Sequence, residues 1–493
     1  MLSLSTTALL AALPAVLAQT SSSETVLGVY MFHRHGDRTP KVFAPTNLTD
    51  LGYREVYTSG QYYRSRYIDD TATFRIEGIS PDMVNENQIQ ASAPVDNVLQ
   101  NSAAGFLQAL YPPVGAGADT ETLGNGTVVT APMNGFQLIP VNTVESGSGS
   151  ENDAWLQSTS SCYKSELSSN EYFVTSAYND TLSSTREFYQ KLLPIISQAG
   201  FNASTATFDN AYLIFDYLNV GRIHNATIPH SNLLTPEVVT QIYGLAATQQ
   251  WNLAYNASET IRAVGGATLG SQVVQFLNAT VASAGSLTGG KFAVQFGAYG
   301  SFSSFFGLAD LIAINDGFTG ITNYASSMVW EMFTNTSAPV TASNYPSTKD
   351  IYVRFLYSNG TATDATPPIQ YPLFGTNQME FQWDDFVSRM NRFSIGTTGQ
   401  WCSACGNTTG ICEPYADSAG SGSSSSTTDD GRSGGCSNGI SPAVNGVIGA
   451  MVTLAVVLGL EGLAMLVFGL RVVSKKRLRG GNGAAGGNGE AKL

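Results

Sequence analysis

A short run of strand-forming apolar residues, Val26-Leu27-Gly28-Val29-Tyr30-Met31-Phe32, leads directly into a loop dense in polar chemistry, Arg34-His35-Gly36-Asp37-Arg38-Thr39-Pro40. The run is too short for a buried helix and reads as a buried strand, with His35 just past its carboxyl end. In open α/β sheets, ligands bind outside that end of the strands. The loop's residue types point to an anion. Arg34 and Arg38 supply planar fork donors, and Gly36 lacks the side chain that would keep a ligand away. A histidine between them can accept a phosphoryl group on a ring nitrogen, which divides one hard displacement into two easier ones.

The heptapeptide resembles Arg-His-Gly-X-Arg-X-Pro, the signature of the branch of the histidine phosphatase superfamily that contains acid phosphatases and phytases. Leu48-Thr49, Gly52, Gly60 and Arg64-Ser65-Arg66-Tyr67 resemble that family's next segment, and the stretch from Val353 through Phe386 to Trp401 resembles its closing strand and helix. The likeness spans most of residues 25–415. It implies a phosphoglycerate-mutase-like α/β fold, with a central mixed sheet flanked by helices and a smaller helical cap within about 135–285. It also implies a phosphohistidine at His35, phosphate held by Arg34, Arg38 and Gly36, a phosphorylated small molecule or inorganic phosphate as ligand, and no metal or cofactor.

The chain departs from the family at two places. Where the family carries a third arginine shortly before an Asp-Arg pair, the matching residues are Gln90-Ala91-Ser92-Ala93-Pro94-Val95-Asp96-Asn97. Where it carries a His-Asp or His-Glu pair after a late strand, the residues are Phe296-Gly297-Ala298-Tyr299-Gly300-Ser301-Phe302. Tyr299 stands at the place of the missing pair and can donate a hydrogen bond. Asp37 and Asp310 are the carboxyls considered as proton sources, although Asp310 lies ~10 residues along a helix at ~1.5 Å per residue. Spacing assigns His33, His224 and His230 to no role. A missing general acid costs about 10²–10⁴-fold and a missing cationic donor a further ~10²–10³-fold, so phosphate binding is expected to survive more readily than turnover. Two expectations stand side by side: a phosphomonoester hydrolase acting through His35, and a weak or inactive phosphate-binding pseudophosphatase. A third is a glycosylated wall or adhesion protein that uses the fold only as a scaffold.

Along the chain, the pattern predicts a helix from about residue 48 to Tyr67 capped by Thr49 or Asp50, and helices over 184–197, 247–264, 269–284 and 303–314. Strands are predicted over 291–296 and 351–357.

The flanks carry an address. Residues 1–18 form an apolar run ending in small residues, as in a cleaved secretory signal. Residues 444–470 are long and apolar enough for one transmembrane helix, given about 1.5 Å per residue and a core of about 30 Å. Glu461 within that span marks a contact with another helix or a tolerated neutral carboxyl. Arg471, Lys475, Lys476, Arg477 and Arg479 follow, which predicts a cytoplasmic tail over 471–493 and single-pass type I topology at the plasma membrane. A Ser/Gly-rich stalk over 416–443 joins the helix to an ectodomain over 19–415. Sequons at Asn47, Asn125, Asn179, Asn202, Asn225, Asn256, Asn278, Asn335, Asn359 and Asn407 all lie on the extracellular side of that helix. Cys162, Cys402, Cys405, Cys412 and Cys436 predict structural disulfides with one thiol left over or paired between chains; the pairing is not readable. A net charge of −13 opposes nucleic acid as a partner.

Overall fold

The computed structural model describes residues 24–420, apart from 116, 119, 145–160, 226–227, 229–230 and 284–288. The expected signal, most of the stalk, the expected transmembrane helix and the tail lie outside the described residues, as do His230 and Cys436. No helix among the described residues is long and apolar enough to cross a membrane.

The strands are β1 (Thr25–Arg34), β2 (Ile89–Pro94), β3 (Thr120–Thr122), β4 (Val128–Thr130), β5 (Val141–Val144), β6 (Phe292–Gly297), β7 (Ser327–Thr334), β8 (Ile351–Ser358), β9 (Ile369–Tyr371) and β10 (Glu380–Gln382). β3 and β4 form a separate hairpin, and the rest make one mixed sheet in the order β10-β8-β7-β1-β6-β2-β5, with β9 on β8. β1 is the seam: it runs parallel to β6 and antiparallel to β7. Its side chains alternate between two cores, which is why its sequence is apolar almost throughout. Val29 and Met31 face one cluster; Tyr30 and Phe32 face the other.

On the first face lie α1 (Asp50–Tyr67) and α2 (Asn97–Leu110). Thr49 caps α1 through the Gly52 amide at 3.1 Å, within the alternatives that the sequence predicts. Arg66 and Tyr67 at the end of α1 turn inward to the buried Glu331 carboxylate at 3.0 and 2.7 Å, and Arg354 also pairs with it, so the Arg64–Tyr67 likeness is structural at this point. A short kinked α3 (Pro132–Gly135) leads to a helical layer of α4 (Tyr163–Glu171), α5 (Ser176–Ser184), α6 (Arg186–Lys191), α7 (Leu193–Ile196), α8 (Ala211–His224) and α9 (Pro236–Ala254). Much of this layer, from Tyr172 to Leu253, shares its own core cluster. Then α10 (Val264–Ala282), α11 (Tyr299–Leu308) and α12 (Trp383–Met390) return to the second face of the sheet, and α13 (Thr398–Cys405) closes the domain.

Several predicted elements shift. The stretch predicted as one helix over 184–197 divides into α6 and α7, because Pro194 in the first turn of α7 has no N–H to continue the ladder. The helix predicted over 247–264 ends at Ala254, where Asn256 Oδ1 accepts from the Ser258 amide at 3.0 Å and turns the chain instead. α10 falls within the span assigned to the cap, yet its Leu269, Val273 and Leu277 pack on the sheet, so the cap ends before it. The predicted helix over 303–314 starts earlier, at Tyr299, and stops before Asp310, whose φ of 52° breaks it.

The cysteines pair as Cys162–Cys405 and Cys402–Cys412, with Cα separations of 4.8 and 5.4 Å. Cys402 and Cys405 are therefore not partners. All ten sequon asparagines are exposed or half-buried.

Candidate active site

β1 ends at Arg34, in register with Gly297 at the end of β6 on one side. On the other side, His33 pairs with Ser327 of β7. The carboxyl end of the seam strand thus opens between a parallel and an antiparallel neighbour, and the 35–40 loop leaves there. α1 and α2 clamp it: Gly36 N–H donates to Ser102 Oγ at 3.2 Å, Asp37 N–H to Glu55 Oε2 at 2.7 Å, and Thr49 Oγ1 to Asp37 Oδ1 at 2.5 Å. A Cβ on Gly36 would lie 2.2 Å from the Gly52 carbonyl oxygen, and one on Gly52 2.0 Å from the Asp37 carbonyl oxygen. This changes the role given to Gly36. The space its missing side chain leaves is filled by α1 rather than by a ligand.

His35 is 1% exposed, and its Nδ1 donates to the Gly36 carbonyl at 2.8 Å. A carbonyl only accepts, so the bond fixes the tautomer and puts the ring's lone pair on Nε2. The His35 ring lies 5.6 Å from that of Tyr324. Tyr324 also stacks on Arg34, with the guanidinium carbon 4.5 Å from the ring centre, and burial, against the pull of Arg38 and Arg34, keeps its hydroxyl protonated above the usual range. Arg34 donates from Nη1 to the Thr322 carbonyl, while its Nε has no partner among the described residues.

Arg38 behaves differently. It is fully buried, and each terminal nitrogen donates twice: Nη1 to the Thr39 carbonyl at 3.0 Å and Asp216 Oδ2 at 3.1 Å, Nη2 to Tyr212 Oη at 3.2 Å and Asp216 Oδ1 at 2.8 Å. Only Nε–H remains of the guanidinium's donors. Burial works against the charge, but Tyr212, Tyr324 and Asp216 outweigh it and keep Arg38 firmly protonated. The fork that the sequence assigned to phosphate is held by an internal carboxylate.

Three of these contacts come from α8. Tyr212, Asp216 and His224 follow one stripe of the helix, and His224 Nε2 meets Asp37 Oδ1 at 2.5 Å. The other oxygen of Asp37, Oδ2, is buried without a hydrogen-bond partner among the described residues. Spacing gave His224 no role, and the fold brings it to the loop. The lone acid in an otherwise apolar stretch, Ala211-Tyr212-Leu213-Ile214-Phe215-Asp216, was the available signal for Asp216; nothing local marks Tyr324. Glu55 is a further carboxyl at the loop, raised by burial although the Asp37 amide and Arg34 pull it down.

Tyr299 does reach the site. Its ring sits 5.4 Å from the Arg34 guanidinium carbon and 5.1 Å from the Tyr212 ring, and its hydroxyl donates to Gln250 Oε1 at 2.6 Å. Asp310 is exposed beyond the far end of α11. In the region lacking the third arginine, Ala93 and Pro94 are buried at the end of β2, and Asp96 caps α2 through the Leu99 amide at 2.9 Å. His33 points to the α2 face of β1, between the rings of Phe106 and Phe296, and burial lowers its pKa to about 4. Beside the loop lies a cleft of ≈ 620 Å³ walled by Arg34, Tyr212, Asp216, Asn219, Tyr243, Thr322 and Tyr324, among others. No group of three His, Cys, Asp or Glu side chains among the described residues is placed to hold a metal ion.

A mixed sheet under a helical layer, with a histidine and an arginine at the carboxyl end of its seam strand, is the architecture of an α/β protein whose candidate site lies outside the strand ends. A family model for the histidine phosphatase superfamily (branch 2) matches residues 44–358, and the chain belongs to that superfamily. The matched span starts beyond the loop, so the loop is an independent observation. Among solved structures, the apo form of Hafnia alvei phytase is similar at 11% identity and TM-score 0.50, over 78% of this chain and 99% of that one. The phytase from D. castellii is similar at 14% identity and TM-score 0.48, over 83% and 87%. The Bifidobacterium longum multiple inositol polyphosphate phosphatase with inositol hexasulfate is similar at 11% identity and TM-score 0.45, over 78% and 96%. At its identity the likeness to the Hafnia alvei structure is one of fold. No curated protein matches the sequence.

Proposed function

We propose that this chain is a phosphomonoester hydrolase of the histidine phosphatase type that acts through a phosphohistidine at His35, displayed outside the cell on a single membrane helix. The observation that carries the reading is the orientation of His35: its Nδ1–H is held by the Gly36 carbonyl, and Arg34, against the same Tyr324 ring, lines the cleft. In the first step the Nε2 lone pair attacks phosphorus, the P–O bond to the leaving group breaks, and the leaving oxygen takes a proton. In the second, water attacks phosphorus, the P–N bond breaks, and inorganic phosphate and neutral His35 are restored. Arg34 neutralises charge on the transferring group. The acid of the family's His-Asp pair has no counterpart at Tyr299, so the leaving oxygen draws its proton from solvent or from a carboxyl of the loop, and turnover is slow.

The engagement of Arg38 by Asp216 favours a second reading, a phosphate-binding protein with little or no turnover. One comparison separates them: the purified full chain against a chromogenic phosphomonoester from about pH 3 to 7, beside His35→Ala. A rate for wild type at least ~10²-fold above His35→Ala supports the hydrolase, in line with the role of a covalent nucleophile. Equal rates leave only binding. The extracellular placement rests on the sequence pattern of the two ends and on ten sequons whose asparagines are exposed or half-buried. Endoglycosidase shifts and surface labelling of intact cells test it; absence of both removes it.

A further inference from the structure

The Asp216 carboxylate makes a two-point pair with Arg38, accepts the Lys41 amide at 2.7 Å, and is almost completely buried. Two oxygens on the two terminal nitrogens of an arginine is also how a phosphate is gripped. We propose that Asp216 is a built-in anion seated on Arg38 where a ligand's phosphate oxygens would otherwise bind, and that it restricts the site to compounds carrying one isolated phosphate. The proposal rests on the phosphate-binding reading given above.

The charge balance supports it. Arg38 and Asp216 cancel, which leaves Arg34 as the cation in the described wall of the cleft; Lys41 Nζ is 5.8 Å from the Tyr212 ring. The remaining wall is largely aromatic or amide: Tyr212, Phe215, Tyr243 and Asn219. One guanidinium among tyrosines suits a single phosphate on an uncharged, partly apolar group. A densely phosphorylated ligand would place further negative charge against Asp216, whose pairing has already spent the charge of Arg38, and a like charge in a desolvated site is strongly opposed.

The alternative is that Asp216 merely aims Arg38 at the ligand, and the two roles predict opposite signs. Titration calorimetry of inorganic phosphate into the full chain is the readout. If Asp216 is a resident anion, Asp216→Asn frees the fork and binds phosphate at least about tenfold tighter than wild type, since an added charge-assisted pair is worth at least that much. If it positions Arg38, Asp216→Asn binds more weakly. Equal or weaker binding overturns the proposal.

Because Asp216→Asn leaves a buried guanidinium poorly compensated, a second variant guards against misfolding. Arg38→Met/Asp216→Leu exchanges the pair for apolar side chains of similar volume, a swap that folded proteins often tolerate. It should bind phosphate within about threefold of wild type, because the cancelled pair adds little. A loss of more than about tenfold would show that Arg38 grips the ligand and would overturn the proposal. The underlying reading fails separately: Arg34→Ala binding phosphate as well as wild type removes the site itself, whatever Asp216 does.

Discussion

At the scale of single residues, two histidines two positions apart have opposite fates because β1 ends between them, at Arg34. His35 leaves the strand into the loop; His33 points back into the core, where its Nε2 has no partner among the described residues. The consequence is a pH dependence. The unfolded imidazole takes its proton near 6.5, the folded one only near 4, so between those values the unfolded chain binds more protons and stability falls with falling pH. The loss is absent above about pH 6.5 and complete below about 4, and amounts to roughly 3 kcal/mol. His33→Leu should flatten this part of the acid limb in melting curves taken between pH 4 and 7. An unchanged slope would mean that another group carries it.

Among the elements, α1 is the piece that sets the loop. Its first turn lies so close that the Gly36 and Gly52 backbones touch with no space for a Cβ on either. Gly52→Ala must push the Asp37 carbonyl away, at a cost of about 1–3 kcal/mol or more. The same shift should misplace His35 and Arg34, so phosphate affinity should drop together with the melting temperature; a stability loss with unchanged affinity would show that the loop does not depend on α1. These glycines, β1, the Thr49 cap and the loop were legible because each is a local pattern. Asp216 was not: it meets Arg38 across 178 positions, on a helix whose register against the loop depends on how the helical layer seats. Tyr324 was hidden for the same reason, since a tyrosine in a loop carries no periodicity. α9 ends earlier than the pattern predicts because the local hydrogen bond made by Asn256 turns the chain, and short-range bonding prevails over periodicity.

At the scale of the whole molecule, Cys162–Cys405 ties the first helix of the helical layer to the closing helix across 243 positions, and Cys402–Cys412 staples that helix to the segment after it. Cys162→Ala/Cys405→Ala should lower stability by about 2–5 kcal/mol, mainly by releasing the unfolded chain. Denaturant unfolding measures it, and a change below about 1 kcal/mol would show that the buried Trp401 and Val264 around the bridge suffice without it.

The stripe of α8 that carries Tyr212, Asp216 and His224 has a wider meaning. One rigid rod touches the arginine and the aspartate of the loop at once, so the tilt of that rod and the electrical state of the pocket are a single variable. A ligand able to pull Arg38 from its partner would have to lift the rod, and a substitution under the rod, far from any phosphate, could retune the chemistry without altering a residue of the loop.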